Sequence, residues 1–281
     1  MIGAALAPLA AVGFGASDFA GGIASRRIPA LRVVLLSYPV TMLLLGVLAV
    51  GVGGPILPGA VGWGLACGIA LGFGGWWFYA ALGSGPISVV SPLSALLTAG
   101  VPVTVGLIAG ERPGLVAAAG IVLALAAVFL VSRQATDEDV KPHRFTPKVA
   151  WLTVGAGVAF GLNFVFIDRV PAESGLWSLA IARLAASVLV VTIAAGAGEL
   201  RLPSGTPRKL AVLAALLDTC ANVSMLLALR VSPLALTSVL ISLFPAVTVV
   251  LAIVVLRERV HRGQVVGMVL AAASVAMITA G

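Results

Sequence analysis

RQATDEDVKPHRFTPK, residues 133–148, is the longest polar stretch in a chain of 281 residues, and it lies near the midpoint. Moving outward from it in either direction, the sequence becomes apolar in blocks. A helix needs about 20 mostly apolar residues to cross the roughly 30 Å hydrocarbon core of a bilayer. Before the polar stretch such blocks fall at 2–24, 31–50, 60–82, 87–109 and 113–132. After it they fall at 149–168, 175–197, 208–229, 234–256 and 264–280. Ser25-Arg26-Arg27, Gly53-Gly54-Pro55, Gly83-Ser84-Gly85-Pro86 and Glu111-Arg112-Pro113 punctuate the first five. The reading is an all-α polytopic membrane protein of ten transmembrane helices, with units at 1–132 and 149–281 and a polar linker at 133–148.

Composition supports lipid as the solvent. The chain is 60% hydrophobic and 10% charged, more apolar surface than a water-facing exterior accommodates. The 33 glycines suit membrane helices, where small residues permit close approach. The first block has no basic residue ahead of it and is long for a signal peptide, so a retained helix is expected. The net charge of +7 comes from residues scattered at block ends, without the aromatic-interleaved basic face of a nucleic-acid binder. Cys67 and Cys220 stand alone within apolar blocks, and His143 and His261 stand alone in connections, so neither metal site nor cofactor is expected.

Five spans per half implies that duplicated halves enter the membrane from opposite sides. Sliding the sequence by 147 residues brings Pro86 onto Pro233, Ser91 onto Ser238, Glu111-Arg112 onto Glu258-Arg259 and Gly120 onto Gly267. Nearly the same shift brings Phe14-Gly15 onto Phe160-Gly161. An ungapped match of Pro, Glu-Arg and Gly argues for duplication, and inverted repeats with a site at their interface recur in secondary transporters. Thirteen Lys and Arg residues fall on one side of this arrangement and three (Arg112, Arg169 and Arg230) on the other. Positive charge stays on the cytoplasmic side, which puts both termini outside and the central linker inside.

Three ionisable residues lie well within spans: Asp18, Arg183 and Asp218. Such groups are costly in lipid and turn toward a cavity or a partner. Counting 1.5 Å per residue along antiparallel spans seven and eight, Arg183 and Asp218 reach similar depths, either as a structural ion pair or as a substrate-carboxylate site at Arg183. Asp18, beside Ser17, is read first as a helix-end group reaching toward Arg26 or Arg27, and otherwise as a carboxylate for a proton or another coupling cation. Asn163 in span six is read at the repeat position of Asp18, and Asn222 lies within span eight. Trp77 and Tyr79 are read as interfacial anchors or as cavity walls suited to apolar or cationic solutes. Pro92, Pro102 and Pro245 are expected to interrupt spans four and nine. Glycines at 64, 68 and 72, at 106 and 110, and at 157 and 161 are expected to form internal packing seams.

Gly-Glu-Arg-Pro at 110–113, Arg-Glu-Arg at 257–259, FGASDF at 14–19, ALGSGPISVVSPL at 81–93 and its echo ALRVSPLALTSVL at 228–240 together resemble the EamA-like transporters of the drug/metabolite transporter superfamily. The resemblance covers the whole chain. It implies a ten-helix basket built as a 5+5 inverted repeat, with helices one to four and six to nine around a central cavity and helices five and ten outside. Relatives carry metabolites, amino acids, nucleotide sugars or drugs, often outward. The expected function is therefore a secondary transporter of a small solute, an exporter or exchanger in the cytoplasmic membrane of a bacterium, as monomer or homodimer. An intramembrane enzyme is the rival class, but no convergent nucleophile, acid or ligand set stands out. A non-transporting scaffold is the third. Asp18, Trp77, Tyr79, Asn163, Arg183, Asp218 and Asn222 are the expected substrate-contacting residues.

Overall fold

The computed structural model describes residues 2–25, 27–84, 87–133, 146–256 and 262–280; Arg26, the middle of the polar linker, and Glu258-Arg259 lie outside them. The described residues form helices α1 (Ile2–Ser25), α2 (Ala30–Val52), α3 (Pro58–Ser84), α4 (Ile87–Ile108), α5 (Leu115–Arg133), α6 (Pro147–Asp168), α7 (Trp177–Gly196), α8 (Gly205–Val231), α9 (Leu234–Ile241), α10 (Phe244–Leu256) and α11 (Arg262–Ala280), with one 3₁₀ turn at Ala172–Ser174.

Local chemistry accounts for the boundaries. At the start of α6, the Thr146 hydroxyl accepts a hydrogen bond from the Val149 amide at 3.3 Å, and Pro147 fills a first-turn position whose missing N–H costs nothing. Gly53 ends α2 at φ +76°, where a side chain would be strained, while its N–H still bonds the Ala49 carbonyl. The two proline expectations divide. α4 stays helical through Pro92 and Pro102, so the expected interruption of span four does not occur. Span nine does break: α9 stops at Ile241 and α10 starts at Phe244. Pro245 has no N–H to return to the Ile241 carbonyl, and the turn closes instead by Ser242 to Ser238 and Leu243 to Leu240 bonds.

Among the described residues, six helices are long and apolar enough to cross a bilayer, namely α1, α2, α3, α6, α7 and α8. The described parts of α4, α5 and α11 hold shorter apolar runs, Leu93–Ile108, Leu115–Ala127 and Val265–Ser274. The exterior is apolar as well, with Leu43, Val47, Ile108, Leu115, Trp151 and Val254 exposed. A water-soluble monomer rarely shows such a surface.

The packing has an internal regularity. α1 lies on α8, and α6 on α3; α3 lies on α7, and α8 on α2; α4 lies on α6, and α1 on α9 and α10. α2 also packs on α7, α4 on α9, and α5 on α11. Exchanging α1–α5 for α6, α7, α8, the α9–α10 pair and α11 leaves this set unchanged. Small residues make it possible. Gly64, Gly68 and Gly72 of α3 face Ser178, Ala182 and Leu189 of α7, and Gly157 and Gly161 of α6 face Ser94, Leu97 and Val101 of α4. Gly106 and Gly110 differ from the expected seam: Gly106 clears room for the Glu111 carboxylate, and Gly110 sits in a turn at φ +102°.

A Cβ at Gly68 would run into the Ala182 carbonyl, whereas one at Gly46 meets nothing within 4 Å. Gly68→Ala is expected to destabilise the protein by about 1–3 kcal/mol through overpacking, while Gly46→Ala stays near wild type. Thermal unfolding of both variants in detergent checks the contrast.

Candidate functional site

A cavity of about 210 Å³ lies between the helices, lined by residues of α1–α4, α6–α9 and Phe244 of α10; none of its described lining belongs to α5 or α11. Five of the residues singled out in the sequence line it: Asp18, Asn163, Arg183, Asp218 and Asn222.

Arg183 and Asp218 form an ion pair across α7 and α8. The Arg183 Nη2 lies 2.9 Å from Asp218 Oδ1 and 2.8 Å from Oδ2. The Arg183 side chain is almost wholly buried and that of Asp218 is 18% exposed, so the carboxylate sits on the cavity side of the pair. The Arg183 guanidinium also stacks 5.0 Å from the centre of the Tyr38 ring, a cation–π contact that gains strength where water is excluded. Its Nε is buried without a hydrogen-bond partner. Thr41 stands 3.2 Å from Asp218 Oδ2 and 3.3 Å from the Ala215 carbonyl; with one hydroxyl hydrogen, it can donate fully to only one of them.

Asp18 is contributed by α1. Its side chain lines the cavity, exposed to that space, and makes no hydrogen bond or ion pair among the described residues; Arg26 lies outside them. Its neighbour Ser17 instead donates to the Ala214 carbonyl at 2.9 Å, tying α1 to α8. Asn222 turns its carboxamide back onto its own helix, with Nδ2 donating to the Asp218 carbonyl at 2.7 Å. Asn163 is buried, and its carboxamide has no hydrogen-bond partner among the described residues. Its backbone carbonyl lies 3.8 Å from the Cys67 sulfur.

Trp77 is absent from the cavity wall. It packs at 5.2 Å from the Phe73 ring, and its indole fills the slot that Gly155 opens in α6. A bulky residue at position 155 would have displaced it; the glycine draws it sideways into a helix contact. The Tyr79 side chain lies outside what is described. The aromatic walls come instead from Phe14, Tyr38, Phe78, Phe160, Phe164 and Phe244.

Tyr38 and Thr41 went unread in the sequence. The usable signal was Ser37, Tyr38 and Thr41 recurring at helical spacing inside an otherwise apolar α2, which sets them on adjoining faces of one helix. The role of Glu111 was likewise only half legible. Its carboxylate accepts from the Leu234 amide at 2.7 Å and the Ala235 amide at 2.9 Å. It thereby caps the first turn of α9, whose N-terminal flank is Pro233 with no capping side chain of its own.

Apolar helices enclosing a small charged cavity define an integral membrane protein with an internal polar compartment. The sequence pattern of the EamA-like transporter family matches residues 1–133 and again residues 147–280. The chain belongs to the EamA-like transporter family, and is thus a membrane transporter of the drug/metabolite transporter superfamily. A solved structure titled "Crystal structure of protein" is similar over 99% of this chain and 96% of its own, with a TM-score of 0.77 and 16% sequence identity. At that identity the likeness concerns the fold alone. Comparison with curated proteins found no match.

Proposed function

We propose that the central cavity is the transport site of a secondary carrier that works by alternating access. In this reading residues 1–132 and 149–281 are two five-helix repeats, joined by 133–148 and inserted in opposite senses. One rocks against the other so that the cavity opens to each side in turn. The exchange symmetry of the helix contacts supports the repeat, and the span count and the shift-147 matches agree with it. The observation that carries the proposal is the location of the ionisable span residues. Asp18, Arg183 and Asp218 come from different helices, and all line one space. Buried charges are expensive in lipid, and an ion pair by itself is weak evidence of a purely stabilising role.

The substrate-contacting set we assign is Asp18, Asn163, Arg183, Asp218 and Asn222, joined by Tyr38 and Thr41. Transport is outward or by exchange, with a proton or another ion as the coupling species. The membrane is the cytoplasmic membrane of a bacterium, with the termini outside, in keeping with the distribution of Lys and Arg.

Reconstitution into proteoliposomes tests this reading. A set of small metabolites and drug-like solutes of each charge type is offered, under a proton gradient or in exchange. The expected result is accumulation of at least one solute well above protein-free vesicles. Vesicles that move none of them under either condition would remove the carrier assignment.

A further inference from the structure

We infer that the cavity takes a small organic monocation with an apolar body, such as a protonated arylalkylamine, and that Asp18 receives its ammonium group. The inference rests on the carrier reading and specifies its substrate class.

The charge inventory comes first. Among the described lining residues the carboxyl and guanidinium groups are those of Asp18, Asp218 and Arg183. Arg183 is already matched by Asp218 at 2.8 Å. Among the described residues that leaves Asp18 as a carboxylate with no partner: Arg26 lies outside them, Arg27 is exposed, and the other charged or titratable groups around Asp18 do not supply one. α8 contributes Asp218, of the same sign; α2 contributes Tyr38, and its Arg32 is bonded to Glu199 at 2.7 Å; α9 and α10 contain no titratable side chain. A carboxylate enclosed by membrane helices either holds a proton or accepts a cation. One arriving monocation that takes the place of that proton keeps the compartment neutral. An arriving anion meets a guanidinium whose Nη2 is taken, together with two carboxylates. A neutral solute leaves the proton on Asp18 and gains no charge-assisted contact there.

The walls select the body of the ligand. Phe14 stands one helical turn before Asp18 on α1, hence on the same face. Phe160 of α6 also lines the space, and Tyr38 lines it while holding Arg183. Aromatic faces attract organic cations. The volume of about 210 Å³ fits one ring and a short aminoalkyl arm, since a cavity of about 150 Å³ holds benzene. Asp18 holds a proton or the ammonium, never both, so binding of the cation expels one proton to the water on the side that is open. That gives an exchange of one proton for one monocation.

Isothermal titration calorimetry on the protein in lipid nanodiscs tests this with three probes of similar shape: phenethylamine, phenethyl alcohol and hydrocinnamate. The amine is expected to bind at least about tenfold more tightly than the alcohol, the size of one charge-assisted contact, and hydrocinnamate most weakly. Repeating the titration in buffers of different ionisation enthalpy is expected to show proton release with the amine alone. Asp18→Asn should lower amine affinity to that of the alcohol, and retained alcohol binding shows that this variant folds. Asp18→Glu should keep the preference. Equal affinities for amine and alcohol, a preference that survives Asp18→Asn, tightest binding of hydrocinnamate, or binding of none of the three would each overturn the inference. The vesicle assay separates the two levels. Movement of anions or neutral solutes without the amine removes the substrate class and keeps the carrier. Amine binding with no solute moved removes the carrier and keeps the site.

Discussion

Arg183→Met is expected to be the most damaging single substitution in the cavity, lowering stability by about 3–5 kcal/mol. The reason is the group left behind. Asp218 keeps only 18% exposure and loses both short contacts to Nη2, retaining the Thr41 hydroxyl at 3.2 Å while facing a second carboxylate, Asp18, in the same compartment. Because the cavity gives Asp218 some access to water, the lower end of that range is expected. The double substitution Arg183→Met with Asp218→Leu removes both charges, and apolar replacement of a whole buried pair is often neutral or stabilising. The double variant should therefore recover most of the unfolding temperature. Transport separates the two meanings of the pair. If it serves the substrate, proteoliposomes carrying the double variant remain inactive; wild-type rates would reduce the pair to a tie between α7 and α8.

Glu111→Ala is expected to cost about 3 kcal/mol, since it removes two hydrogen bonds to a charged acceptor and exposes the first turn of α9 without a cap. α9 has eight residues, so two amides are a large share of its hydrogen bonding. The bonds run from a turn after α4 to a helix more than a hundred residues away, and their loss also detaches α9 from the turn that Gly106 makes room for. Glu111→Gln keeps the shape and one carbonyl acceptor and should lose about half as much. Thermal unfolding ranks the two variants, and amide hydrogen exchange at Leu234 and Ala235 reports the cap itself. An unfolding temperature unchanged in Glu111→Ala would show that α9 is held by packing alone.

Much of the fold could be read from the chain because lipid imposes a length rule on each element. Blocks of about 20 apolar residues with charged punctuation specify helices and their ends, and the few charges inside blocks announce themselves by their cost. Arg183, Asp218 and Asp18 were legible for that reason. Tyr38 and Thr41 were not, because a phenol or a hydroxyl in an apolar run costs little and carries no distinct signal until the opposing helix is known. Trp77 shows the converse: an aromatic side chain reads the same whether it faces a cavity or a glycine, and only Gly155 across the contact decides. The prolines show how far local rules reach. Pro245 and the residues before it end a helix, while Pro92 and Pro102 do not break α4. Glu111 was recognisable as a turn residue, but the amides it caps lie on an element distant in sequence.

The two longest helices, α3 and α8, have 27 residues each, about 40 Å at 1.5 Å per residue, against a hydrocarbon layer of about 30 Å. They must lean or protrude, and hydrophobic mismatch acts on that lean at a cost of fractions of a kcal/mol per Å. α3 supplies Gly75 and Phe78 to the cavity, and α8 supplies Asp218 and Asn222. Lipid acyl-chain length is therefore a mechanical input to the geometry around the solute, felt first through these two helices.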